Sequence, residues 1–119
     1  MTEQDGIDRA MLDNLLESVG GDTEFLAELL ASFQGDALVQ IAAMQEALAA
    51  GDAQGLQRAS HSLKSSSAAF GAMRLSQQCK EVEAMAEAGA WDGTAARIER
   101  IAAEYDRART ALDAIVWEA

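Results

Sequence analysis

The chain of 119 residues carries 20 acidic and 9 basic side chains, and its net charge of −11 argues against nucleic acid or anionic membrane as a partner, since both need a basic surface. Half of its residues are hydrophobic and proline is absent, which favours one helical domain spanning residues 1–119. The single cysteine allows no internal disulfide, and with no signal peptide or membrane span in the sequence we expect a cytoplasmic protein.

The first predicted element is a short amphipathic helix, because Ile7, Met11 and Leu15 recur every four residues. We expect it to end near the Gly20–Gly21 pair, since glycine commonly follows a helix C-terminus. Asp22 or Thr23 can cap a second helix that runs to about residue 50. Its apolar stripe advances in steps of three and four: Leu26, Leu29, Leu30, Phe33, Ala37, Ile41, Met44 and Leu48.

Three further helices follow the connection at Gly51. Asp52 is the expected N-cap of a helix over residues 53–69, which Gly71 ends or bends. The next helix would stop at Gly89, and Asp92 would cap the last one. The apolar stripes of the three helices are Leu56, Ala59, Leu63, Ser66 or Ser67, and Phe70; then Leu75, Cys79, Val82 and Ala86; then Ile98, Ile101, Tyr105, Ala108, Leu112 and Ile115.

The short connections determine the predicted architecture. Sequential helices joined by short loops pack antiparallel, so the fold class is all-α, an antiparallel up-down four-helix bundle with an additional short N-terminal helix. No strand pattern is visible in the sequence. We expect a bundle of this charge to be a monomer.

His61 is the only histidine, and its position in the sequence is unusual. No Asp or Glu occurs between Asp52 and Glu81, although the same stretch holds four basic residues. On a helical wheel, His61 points roughly 160° away from Leu63 and the core stripe. We therefore expect the imidazole to be exposed to solvent.

The helical neighbours of His61 combine a cation with small or polar side chains. Small residues on an exposed helical face suggest room for a partner to approach, and we expect no carboxylate to compete there with an incoming anion. These neighbours, at positions from i−4 to i+7, are Gln57, Arg58, Lys64, Ser65 and Ala68.

This setting suits phosphoryl chemistry. Neutral imidazole is a good nucleophile near neutral pH because its ordinary pKa is about 6.5. Lys64, one turn from His61, would offset negative charge on an attached phosphoryl group. The chain has no glycine-rich phosphate loop and no acidic cluster for Mg²⁺ near His61, so a partner would have to supply both the phosphoryl donor and its metal. We expect no metal or cofactor in this chain.

The run from His61 to Leu75 resembles the signature of histidine-containing phosphotransfer (HPt) domains, and the helical layout is similar over nearly the whole chain. The resemblance implies that His61 accepts a phosphoryl group from the aspartate of a response-regulator receiver domain and passes it to a second receiver. It also implies that Lys64 is the electrostatic partner and Gly71 the turn glycine. The implied partners are receiver domains and a hybrid histidine kinase. One departure is Ser65, which stands where the family usually has glycine.

The same resemblance implies a docking role for the N-terminal helix, with Ile7, Met11 and Leu12 as candidate contacts to the receiver. The alternative is that Ile7 and Met11 simply close the bundle. For the whole chain, the alternative function is a helical adaptor that binds a receiver or kinase without being phosphorylated. A metal or haem bundle is disfavoured because there is only one histidine, and autonomous kinase or phosphatase activity because there is no nucleotide-binding segment.

Overall fold

The computed structural model describes residues 3–4 and 6–115. In chain order these form two short strands, β1 (Glu3–Gln4) and β2 (Ile7–Asp8), and then five helices: α1 (Arg9–Ser18), α2 (Thr23–Ala50), α3 (Ala53–Ala69), α4 (Met73–Ala88) and α5 (Thr94–Asp113). The four long helices form an antiparallel up-down bundle in which α3 packs between α2 and α4, and α5 packs between α4 and α2. The predicted all-α bundle with a short N-terminal helix is confirmed.

Aspartate caps fix the start of two long helices. The Asp22 carboxylate accepts a hydrogen bond from the backbone N–H of Phe25 at 3.0 Å, and that of Asp52 accepts one from Gly55 at 2.9 Å. The predicted cap at Asp92 is wrong. Gly93 occupies the N-cap position of α5 in a left-handed conformation (φ 81°), and the helix has no side-chain cap. The helix therefore begins at Thr94, one residue later than a cap at Asp92 would place it.

The apolar stripes of the four long helices meet in one core. Phe33 and Phe70 stack within it with ring centroids 4.8 Å apart, which joins α2 to the end of α3. One carboxylate is also buried, that of Glu104, which accepts a hydrogen bond from Arg107 at 2.7 Å. The largest fully buried apolar side chains are Leu12, Leu26, Met44, Leu56, Leu63, Leu75, Ile98, Ile101, Leu112 and Val82.

The segment before α1 is extended, which corrects the prediction that Ile7 belongs to the first helix and that the chain has no strand. Ile7 pairs with Gln4 in an antiparallel hairpin and forms an isolated bridge with Ala72 on the α3–α4 turn. Its side chain is buried against the core, and Asp8 caps α1 by accepting a hydrogen bond from Ala10 at 3.0 Å. Tertiary burial of Ile7 therefore overrides the helical spacing of the sequence.

Gly71 and Gly6 permit the close contact between this segment and the α3–α4 turn. The Asp8 N–H donates to the Gly71 carbonyl at 2.6 Å, and the Gly6 carbonyl accepts from the Met73 N–H at 2.9 Å. A Cβ atom on Gly71, whose φ is +77°, would lie 2.6 Å from the Asp8 carbonyl oxygen. The N-terminal segment thus supplies a backbone cap for α4, which has no side-chain cap of its own.

No helix within the described part of the chain is long and apolar enough to cross a membrane.

Candidate phosphotransfer site

His61 lies on the exposed flank of α3, in agreement with the helical wheel. Its side chain is 60% exposed, whereas Leu63, two residues further along, is completely buried. The separation follows from helical geometry, because residues two apart point in nearly opposite directions. The imidazole is therefore open to a partner from solvent.

A carboxylate lies beside the imidazole, which corrects the expectation that the site is free of acids. Glu83 of α4 places Oε2 2.8 Å from Nδ1 of His61 and accepts a hydrogen bond from Lys64 Nζ to Oε1 at 2.6 Å. Packing of α4 against α3 brings this residue to the site across 22 positions of sequence. The acid-free stretch is thus a property of the sequence and not of the site.

The two neighbours of Glu83 keep its carboxyl group ionised. The hydrogen bond from Lys64 is the main cause of a pKa below the ordinary value of 4.5, with a further contribution from His61, and partial desolvation opposes both. An ionised carboxylate can only accept hydrogen bonds, so the proton of the neutral imidazole is assigned to Nδ1. Nε2 then carries the lone pair, and it has no hydrogen-bond partner among the described residues.

The remaining residues predicted around His61 lie along the same flank of α3 with different degrees of exposure. Arg58 and Ser65 are exposed, whereas Gln57 and Ala68 are half-buried. Gln57 also contacts α4, because its Nε2 donates to Glu87 at 3.0 Å. Small and polar groups therefore surround the imidazole without covering it.

The predicted docking patch on the N-terminal segment is reduced to one residue. Ile7 is 5% exposed and Leu12 completely buried, so neither offers surface to a partner, and their assignment as docking residues is wrong. Both side chains point into the core and close the bundle. Met11 remains 36% exposed. It lies beside the α3–α4 turn, since a Cβ atom added to Gly71 would be 3.4 Å from the Cβ of Met11.

Sequence reasoning missed Glu83 as a site residue, although a signal for it exists. In an antiparallel helical hairpin, residues equidistant from the turn lie side by side. His61 and Glu83 are equidistant from Ala72, and so are Gln57 and Glu87, which also form a hydrogen bond. Folding the sequence about Ala72 would have placed the Glu83 carboxylate next to the histidine.

Cys79 does not contribute to this site as a reactive group. Its thiol is buried on α4, and burial, followed by the charge of Glu83, raises its pKa to about 12. A thiol with so high a pKa is almost entirely protonated at neutral pH and is a poor nucleophile. Within residues 6–115 no group of three or more His, Cys, Asp or Glu side chains is arranged to hold a metal ion.

Comparisons with known proteins identify the family and the fold. A family model described as "Hpt domain" matches residues 28–111. The fold is similar to the crystal structure of histidine-containing phosphotransfer protein B (HptB) from Pseudomonas aeruginosa PAO1, with a TM-score of 0.85 and 31% sequence identity over 91% of each chain. A search of curated proteins finds no match.

Proposed function

The chain belongs to the Hpt domain family, which acts in histidine phosphotransfer of two-component signalling, and from this premise we propose that His61 is the residue that carries the phosphoryl group. It would accept the group from the aspartate of one response-regulator receiver and pass it to the aspartate of another. The observation that carries the proposal is the exposed imidazole whose Nδ1 is engaged by Glu83 while Nε2 has no partner among the described residues.

The transfer step follows from this tautomer. The Nε2 lone pair attacks the phosphorus of the receiver's aspartyl phosphate in line, the N–P bond forms, and the P–O bond to the aspartate breaks, releasing its carboxylate. The ring gains positive charge because Nδ1 keeps its proton. The Glu83 carboxylate, 2.8 Å from Nδ1, stabilises that charge and orients the ring, as a carboxylate does for histidine in many catalytic sites.

Lys64 is suited to the negative charge of the transferred group. It lies one helical turn from His61, and its side chain is 28% exposed. Before transfer its ammonium group is bound by Glu83; after transfer the three donors of the ammonium can bind phosphoryl oxygens as well. One carboxylate, that of Glu83, therefore joins the Lys64 ammonium group to the His61 ring.

Activation of the phosphoryl group would come from the partner proteins. Receiver domains supply the aspartate and its Mg²⁺, and a hybrid histidine kinase supplies the phosphoryl group at the start of the relay. This chain then acts as a phosphocarrier without kinase or phosphatase activity of its own. We further propose that it works as one monomeric domain in the cytoplasm, where its single thiol would stay reduced.

The test is phosphoryl transfer from a phosphorylated receiver to the wild-type chain and to His61→Gln. We expect label on the wild type alone, lost in acid and stable in base, as a phosphoramidate is. His61→Gln should keep its helicity and thermal stability, because an exposed residue contributes little to folding. Labelling of His61→Gln would overturn the assignment. Binding of receivers without transfer to the wild type would favour the adaptor function instead.

A further inference from the structure

A groove on the side of α4 away from His61 is lined by arginine side chains, although the protein is strongly acidic. It runs between α4 and α5, and we call it the α4–α5 groove. Three of the nine basic residues line it, with a single acidic residue among them. Its lining residues are Arg74, Gln77, Gln78, Glu81, Arg97 and Arg100.

The arginines of the groove retain unused hydrogen-bond donors. Arg97 donates to Glu81 at 2.7 Å through one of its nitrogen atoms. Arg74 forms an ion pair with the buried carboxylate of Glu104 at 3.7 Å, a separation beyond hydrogen-bond distance. Arg100 is exposed and has no hydrogen bond or ion pair within the part of the chain described. Each guanidinium has five N–H donors, so the groove offers many donors and few acceptors.

Two features of the groove favour a ligand that carries both carboxylates and N–H groups. Arg97 and Arg100 are three residues apart on α5, and Glu81 pairs only with Arg97, so an anion bound beside Arg100 would supply the partner that it lacks among the described residues. Gln77 and Gln78 also line the groove, and a glutamine side-chain amide both donates and accepts hydrogen bonds. A phosphate dianion offers acceptors alone, whereas an acidic peptide offers carboxylates to the arginines and backbone N–H and C=O groups to the side-chain amides of Gln77 and Gln78.

We propose that the α4–α5 groove binds an acidic peptide segment of a partner protein, at a site separate from His61. α4 separates the two sites, because Glu83 faces α3 whereas the groove faces α5. The net charge of −11 does not prevent this binding, since the Debye length at physiological salt is about 8 Å and the groove acts mainly through its own charges. A partner could therefore hold the groove while a receiver engages His61.

The test uses a fluorescein-labelled peptide of alternating glutamate and glycine, measured by fluorescence anisotropy at low and at physiological salt. The variants are Arg100→Gln and, as the matched control, Arg109→Gln, an exposed arginine of α5 outside the groove. Both variants change the net charge equally. We expect Arg100→Gln to weaken binding about fivefold or more and Arg109→Gln to leave it within about twofold, since charge-assisted hydrogen bonds need direct contact. His61→Gln should bind as the wild type does, which separates this proposal from phosphotransfer.

Two further measurements determine whether the ligand class is right. A peptide with methylated backbone nitrogens should bind about threefold more weakly, because it cannot donate to the glutamine amides that line the groove. Equal weakening by Arg100→Gln and Arg109→Gln, or no binding at physiological salt, would overturn the site. Equal affinity of the methylated peptide, or tighter binding of inorganic phosphate, would overturn its assignment to a peptide.

Discussion

Replacing Gly71 by alanine should destabilise the protein far more than the same change at Gly51. Both glycines have left-handed backbone conformations, with φ of +77° and +66°. Alanine in that conformation costs about 1–2 kcal/mol at either position, offset by up to about 1 kcal/mol from the stiffer unfolded chain. At Gly51 nothing lies within 4 Å of the added Cβ, so we expect a loss of about 1 kcal/mol.

At Gly71 the new Cβ would also meet the Asp8 carbonyl oxygen at 2.6 Å, and the backbone of Asp8 has to move away. That movement breaks the hydrogen bond from Asp8 to Gly71 and loosens the cap that Gly6 provides to Met73, each contributing about 1 kcal/mol. The total loss is then about 3 kcal/mol, about 2 kcal/mol more than for the control.

The assay is urea unfolding followed by circular dichroism, with the midpoint and slope fitted for wild type, Gly71→Ala and Gly51→Ala. Thermal unfolding should show a difference of about 8 °C between the two variants, from about 4 °C per kcal/mol for a domain of this size. Equal losses for the two variants would refute the reasoning, because it would mean that the contact with the N-terminal segment contributes nothing to stability.

Three further predictions concern the site. Lys64→Ala should slow transfer from a phosphorylated receiver about tenfold without abolishing it, and unchanged rates would remove Lys64 from the mechanism. Glu83→Gln should lower the free energy of unfolding at pH 7. Because folding lowers the pKa of Glu83, its stabilising effect is present above the ordinary value of 4.5 and is lost as the pH falls through the folded-state pKa, so wild type and variant should converge in acid. Urea titrations at pH 7 and pH 3 measure this, and a constant difference would argue against it. Ser65→Gly should cost about 0.5 kcal/mol of stability at this exposed helical position and speed transfer; slower transfer would show that the hydroxyl group contributes.

The sequence was sufficient for the number and order of the helices and for the exposure of His61. The limits of α3 at residues 53 and 69 and the caps at Asp22 and Asp52 match the prediction. Each depends on contacts within one helical turn, which a linear sequence displays directly. At the start of α5 the prediction was wrong by one residue, because Gly93 and not Asp92 occupies the N-cap position.

The tertiary structure decided which side chains surround the histidine and which remain on the surface. Glu83 reaches His61 only because α4 packs antiparallel to α3, and Ile7 is buried because the N-terminal segment pairs with the α3–α4 turn. Helical periodicity states which direction a residue faces within its own helix. It does not state which residue of another helix lies opposite, since that depends on the register of packing between segments far apart in the chain.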